Sequence, residues 1–381
     1  MEIKNILLHA HIFKNAGSSF DDALGSFFAS SFVDHRDDQD VIDGKMNYLI
    51  EYFNSHPKIS AFSSHSMHLQ PKNTAKYRFH TVHLLRHPIE RIKSVYSFEK
   101  KQIPATTNGS KKAKELNFND YVAWYMSDDA PATVRNVQTI FLSGEGPSPL
   151  NMDSKFKQAQ ACMKKSNLIG VVDRYDESMV IFEEYMKQFF SDIDLSYIRK
   201  NTTDKNIEIS VEEKVSTLMD SLDEVVQKQV LDNNSLDMKL YEEANRQLND
   251  KIDSIYDFKS KLDDFKSRCI IKVLKPIIEK DDYISITKEL ETSFSDGFGN
   301  LQICLILADA KKELKDYNGA LNTYEETIKR FPFDPWAYFY KVEVLCTLGE
   351  KEESAKLFEK YSVKFRANKL LPLIEESIFY P

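Results

Sequence analysis

Residues 6–20, Ile6-Leu7-Leu8-His9-Ala10-His11-Ile12-Phe13-Lys14-Asn15-Ala16-Gly17-Ser18-Ser19-Phe20, run from a short apolar strand through a turn of small residues into a helix. The helix declares itself by Phe20, Leu24, Phe27 and Phe28, which fall on one face at helical spacing. A strand, a tight turn and a helix N-terminus aim several backbone N–H groups at one point, an arrangement suited to a phosphate or sulfate oxygen. Gly17 lets the backbone approach closely, Ser18 and Ser19 add hydroxyl donors, and Lys14 supplies a mobile positive charge. Taken alone, the turn reads equally as a helix capped by Ser18 or Ser19. No GxxxxGK[ST] occurs, which disfavours a Walker-type ATP site.

Working outward, short apolar runs at 6–12, 59–63, 79–85, 168–172 and 195–198 alternate with helical patterns such as Ile181, Phe182, Tyr185, Met186 and Phe189. This alternation predicts an α/β fold, a parallel sheet wrapped by helices. Stretches 102–115 and 143–149, rich in Lys, Asn, Ser, Gly and Pro, read as surface loops, the first bordering an acceptor site. After residue 206 the strand signal stops and amphipathic helix follows, so two domains are expected, 1–250 and 251–381. In the second, Ala320 recurs as Ala355 and Leu314 aligns with Gly349, with Tyr317, Tyr324, Pro332 and Trp336 between them. That pattern resembles tetratricopeptide helical hairpins over 300–365, and a generic helical bundle is the alternative.

Bulk composition narrows the function. The 381 residues carry a net charge of −8, which does not favour nucleic acid or an anionic membrane, so an anionic ligand needs a local basic cleft. Four widely spaced cysteines form no CxxC pair, suggesting neither a zinc site nor a disulfide framework. No signal-peptide pattern and no apolar run of ~18 residues is seen, and the expectation is a cytoplasmic protein without a transmembrane segment.

A second motif decides between ligands: Leu84-Leu85-Arg86-His87-Pro88-Ile89-Glu90-Arg91-Ile92-Lys93-Ser94-Val95-Tyr96. Arg86 stands at the carboxyl end of a predicted strand, where open α/β sheets bind ligands. Pro88 starts the next helix, which puts Arg91 and Ser94 on one face, a guanidinium and a hydroxyl suited to a phosphate. With both motifs in hand, His11 to Phe20 resembles the HxPKTAGTS loop of sulfotransferases, and 84–96 resembles their LRDPxERxxSxYxF motif. Asn136-Val137-Gln138-Thr139, Asp173, Arg199-Lys200-Asn201-Thr202 and Asp237 continue the match, so the resemblance covers residues 1–245, nearest the heparan-sulfate 2-O-sulfotransferases and related bacterial enzymes.

The resemblance implies a P-loop-NTPase-like sulfotransferase fold and 3′-phosphoadenosine 5′-phosphosulfate (PAPS) as donor. It assigns Lys14, Asn15, Ala16, Gly17, Ser18 and Ser19 to the 5′-phosphosulfate, Arg86 and Ser94 to the 3′-phosphate, and Arg199 and Asn201 to closing over the nucleotide. The sequence departs from the pattern at Phe13, Asn15, Ser18 and His87, and none of these removes a needed cation. All nine histidines lie at or before His87, with His9, His11, His80 and His83 in or beside strands. His65, in a polar turn, matches the segment that holds the family's catalytic base, and a neutral imidazole can take a proton from an attacking hydroxyl. His68 is the alternative base. The scheme requires no metal. The implied acceptor is a glycan or glycolipid hydroxyl, and the C-terminal helices are expected to bind a protein partner. A kinase-like phosphotransferase using Asp173 for Mg²⁺ and a non-catalytic helical scaffold are the competing readings.

Overall fold

Among the described residues, five strands form one sheet: β1 (Lys4–Ala10), β2 (Phe32–Asp34), β3 (Ala61–Ser64), β4 (Tyr77–Leu85) and β5 (Ile169–Val171), in the order β2-β3-β1-β4-β5. Every pairing is parallel, with Ala10 beside Ser64 and His9 beside Val82. Ile6, Leu7, Leu8 and Ala10 are all buried, as a central parallel strand covered on both faces requires. The structure is a computed structural model that describes residues 3–36, 38–68, 70–144, 151–198, 209–295 and 299–365.

The first compact unit, Met1–Phe258, wraps this sheet. Helices α1 (Gly17–Phe28) and α2 (Asp38–Ser55, interrupted at Lys45) connect β1 to β2 and β2 to β3. Between β4 and β5 run α3 (Pro88–Lys101), α4 (Asn108–Glu115), α5 (Phe118–Met126), α6 (Val137–Leu142) and α7 (Met152–Lys165). After β5 come α8 (Tyr175–Met186), α9 (Val211–Asp220), α10 (Glu224–Asn233) and α11 (Ser235–Ser254). A core of Ile92, Val95, Tyr121, Val122, Tyr125 and Val226 joins α3, α5 and α10.

Two expectations change. Residues 195–198 are not a strand: the Leu195 N–H donates to Glu183 Oε1 at 2.7 Å and the Tyr197 hydroxyl to Asp176 at 2.8 Å, so side chains satisfy the segment instead of a sheet neighbour. The stretch 102–115 contains α4, started by a capping box in which Thr107 accepts from the Ser110 N–H and Ser110 accepts from the Thr107 N–H.

The second unit, Lys259–Pro381, is helical among its described residues, with α12 (Phe258–Ile278), α13 (Tyr283–Ser295), α14 (Leu301–Glu313), α15 (Tyr317–Arg330), α16 (Trp336–Thr347) and α17 (Lys351–Lys364). From α13 onward each helix packs on the next. The unit boundary falls after α11, which the expected boundary at 250 would have cut. Within this unit the turn before α15 has Lys315 at φ 62° and the turn before α17 has Gly349 at φ 79°. Those matched turns set a shorter repeat than the Ala320 to Ala355 alignment: buried Ala320 corresponds to buried Ser354, whereas Ala355 is exposed.

Candidate functional site

Because all five strands are parallel, the residues that follow β1, β3, β4 and β5 collect along one sheet edge. With β1 between β3 and β4, the turn carrying Lys14 lies between His65 and Arg86, at the point where the strand order reverses. The turn is tightly wound, with Lys14 at φ 65° and Ala16 at φ 58°, left-handed conformations that side chains with a Cβ adopt at a cost.

Four groups hold it there. Asn15 Nδ2 donates to Leu84 O and to Gln138 Oε1, both at 2.7 Å. Arg91 Nε donates to Phe13 O at 3.0 Å, Arg91 Nη1 donates to Thr133 O at 2.8 Å, and Arg86 Nη1 reaches Lys14 O at 3.4 Å. Asn15 is therefore an interior tie rather than an anion ligand, since its backbone N–H is also taken, by Ile12 O at 3.1 Å. Arg91, fully buried, braces the turn instead of joining Ser94 in a clamp; burial lowers its pKa to about 10, with Asp237 opposing.

What the turn offers to a ligand is Lys14, Ala16, Gly17, Ser18, Ser19 and the first turn of α1, which no side chain caps. Ser18 is exposed and Ser19 half-buried. Lys14 Nζ lies 4.6 Å above the Phe98 ring; burial, Arg86 and Lys101 all depress its pKa. An anion among these crowded cations would relieve their repulsion.

Arg86 follows β4, its backbone held by Gln138, which accepts from the Arg86 N–H and donates to Arg86 O, both at 2.9 Å. Glu90 Oε2 lies 3.7 Å from Arg86 Nε. Burial and the neighbouring Asp173 push the Glu90 carboxyl up to about 7, against Arg86 and Lys214. Tyr241 donates to Asp173 Oδ2 at 3.0 Å and meets the His87 ring edge to face. Ser94 is half-buried in the second turn of α3. Arg199 and Asn201 lie outside the described residues.

His65 follows β3. Its Nδ1 is 3.1 Å from His11 O, and a carbonyl only accepts, so Nδ1 carries the proton and Nε2 keeps a lone pair. The ring lies 3.8 Å, centroid to centroid, from that of His11. His65 also lines an open cleft of about 670 Å³ with Phe13, Phe98, Glu99, Tyr125 and Thr133. His68 packs on Phe141 at 4.3 Å, away from that lining.

Three partnerships were not read from the sequence, although Gln138 itself stood in the matched 136–139 segment. Gln138 is the hub joining Asn15, Arg86 and α6; Glu99 sits in the cleft wall accepting from Tyr121 and Tyr125; and Asp21 pairs with both His9 and His11. The signal for the last was present, because positions 9 and 11 point to one side of an extended chain and Asp21 lies in the second turn of the following helix.

The fold and this edge define an α/β protein with a basic, small-residue turn between an imidazole and a guanidinium. Compared with known proteins, the chain is similar to an uncharacterized protein of Archaeoglobus fulgidus, 27% identical over 243 residues that span 63% of this chain and 95% of that protein. No family model matches, and neither does any solved structure.

Proposed function

We propose that this protein is a sulfotransferase that moves a sulfuryl group from PAPS to an acceptor hydroxyl. The observation that carries the reading is the placement of Lys14, Arg86 and His65 after three neighbouring strands, β1, β4 and β3. A donor with a 5′-phosphosulfate and a separate 3′-phosphate needs two cationic points, and Lys14 and Arg86 with Ser94 supply them. The centred β1 and the order β2-β3-β1-β4-β5 support a P-loop-like sulfotransferase fold, and the matched turns in the second unit support tetratricopeptide-like hairpins.

In this reading the acceptor, a carbohydrate hydroxyl, enters by the cleft lined with Phe13, Phe98 and Tyr125. Its oxygen attacks sulfur in line while His65 Nε2 takes the hydroxyl proton. The new bond is oxygen to sulfur; the bond that breaks joins sulfur to the 5′-phosphate oxygen, which leaves with the electron pair. Lys14 and the first N–H groups of α1 neutralise that leaving charge.

The test is transfer of labelled sulfate from PAPS by the full chain in the presence of EDTA, with binding of 3′-phosphoadenosine 5′-phosphate measured by calorimetry. Lys14→Ala and Arg86→Ala are expected to weaken nucleotide binding by about tenfold or more. A wild-type chain that fails to bind the nucleotide ends the proposal, and magnesium-dependent transfer from ATP replaces it with the phosphotransferase reading.

A further inference from the structure

We infer that Asp21 is a positioning residue for His65, acting through His11: the carboxylate orients the imidazole against which the base is stacked and stabilises the imidazolium formed when the base takes a proton. The inference rests on the sulfotransferase reading above and extends it to residues that touch neither donor nor acceptor.

The geometry is a chain of short contacts. His9 Nδ1 donates to Asp21 Oδ1 at 2.7 Å, and His11 Nδ1 lies 2.9 Å from Asp21 Oδ2, a close approach outside hydrogen-bond geometry, so the carboxylate touches both imidazoles and is hydrogen-bonded to His9. The His9 and His11 rings stack at 4.8 Å, and Ser63 Oγ lies 3.1 Å from His9 Nδ1. His11 then meets His65 twice, ring against ring and through its carbonyl to His65 Nδ1. A movement of His11 therefore moves the base. Gly17 completes the fit, since a Cβ there would stand 2.1 Å from His11 Nε2, so the ring packs directly against the turn.

His9, His11 and Asp21 are all buried. An ionised carboxylate is costly in such a place, and a purely structural role would be met by a neutral side chain. Burial alone would raise the Asp21 carboxyl, yet His9 and His11 hold it well below the ordinary carboxylate range, so it is charged at any working pH. Burial lowers the His11 pKa, against the pull of Asp21. The other groups acting on the cluster are Arg36, which follows β2 and opposes protonation of His11, and His83 on β4, whose own pKa falls to about 4, chiefly through burial and then through its neighbour His9. A negative charge beneath a base that becomes cationic in the transition state lowers the barrier selectively.

The decisive variant is Asp21→Asn in the full chain. Nucleotide affinity and the donor KM are expected to stay within about twofold, while kcat falls by ~10–100-fold, the range for partners that orient a reacting group. The acid limb of the kcat/KM profile should move to lower pH, because the imidazolium loses its counter-charge, and Asp21→Glu should recover part of the loss. Unchanged kcat in Asp21→Asn overturns the inference, and so does a loss of kcat and nucleotide affinity together with an unmoved acid limb. Imidazole nitrogen NMR of the wild type checks the arrangement without a variant: His9, His11 and His65 should each carry the proton on Nδ1, and His65 protonated on Nε2 instead overturns it. The ligating atoms of His9, His11 and Asp21 lie within 4.8 Å of one another, so stoichiometric metal in the purified wild type would also overturn it. A wild type that binds no nucleotide and transfers no sulfate fails earlier, at the sulfotransferase reading itself.

Discussion

Gly17 and Glu90 show how single residues govern the sheet edge. A methyl group at Gly17 would collide with three atoms of the His11 ring, at 2.1 to 2.6 Å, because that ring packs against the turn. Gly17→Ala is therefore expected to cost about 1–3 kcal/mol, as overpacking does, measured as a lower urea midpoint with an unchanged m value. Glu90 carries a different liability. Its carboxyl is raised to about 7 in the folded chain, chiefly by burial and then by Asp173, so the stability it contributes is complete below the unfolded carboxylate range and is lost as pH rises through 7. Glu90→Gln should accordingly gain stability over wild type at pH 8 and little at pH 4, by about 1–2 kcal/mol after allowing for solvent screening. Equal midpoints for the two proteins at pH 8 would refute this. The positions of Lys14 and Arg86 after strands were legible in the sequence, because a cation after a short apolar run is a local pattern. The inward turn of Asn15 was not, since it depends on Gln138, which is distant in the chain and adjacent only after folding.

Between elements, the 136–139 and 234–237 segments interlock. Asn136 Oδ1 accepts from the N–H groups of Leu236 and Asp237 at 3.1 and 3.0 Å, closing the start of α11. In return Asp237 accepts from the Gln138 N–H at 3.0 Å and from the Thr139 N–H and hydroxyl at 2.7 Å, closing the start of α6. Gln138 carries this tie onward to Asn15 and Arg86, so the turn after β1 is braced by a helix from the far end of the unit. Asp237→Ala leaves three buried donors without an acceptor and should destabilise the unit by about 3 kcal/mol or more. It should also weaken nucleotide binding severalfold although Asp237 lies behind the turn; an unaltered calorimetric affinity would show that the brace is not transmitted. Helix and strand identity were legible wherever the pattern was long and periodic, as in β1, β4, α1 and α8. The three-residue β2 was not, because Phe32-Val33-Asp34 offers only two apolar residues, and the 195–198 run has strand composition with no sheet neighbour to complete it.

At the scale of the chain, each unit has its own cores. The cluster built on α3, α5 and α10 draws on residues 89 to 230. Those of the second unit draw on Leu274, Leu290 and Leu307, on Ala320, Tyr324 and Val344, and on Tyr338 and Tyr361. The change from strand-bearing to helical sequence after residue 206 precedes the division, since α9, α10 and α11 belong to the first unit, and an amphipathic helix looks alike on either side of a junction. Independent cores imply independent folding. A chain ending at Phe258 should therefore unfold in one cooperative transition and bind 3′-phosphoadenosine 5′-phosphate as the full chain does, since Lys14, Arg86, Ser94 and their braces all lie in the first unit. Thermal melting followed by circular dichroism, with calorimetry on both forms, provides the comparison. A loss of cooperativity or a tenfold weaker nucleotide affinity would mean that the helical unit completes the site. Equal affinity with reduced turnover on a large acceptor would instead give the helices a task in handling the acceptor.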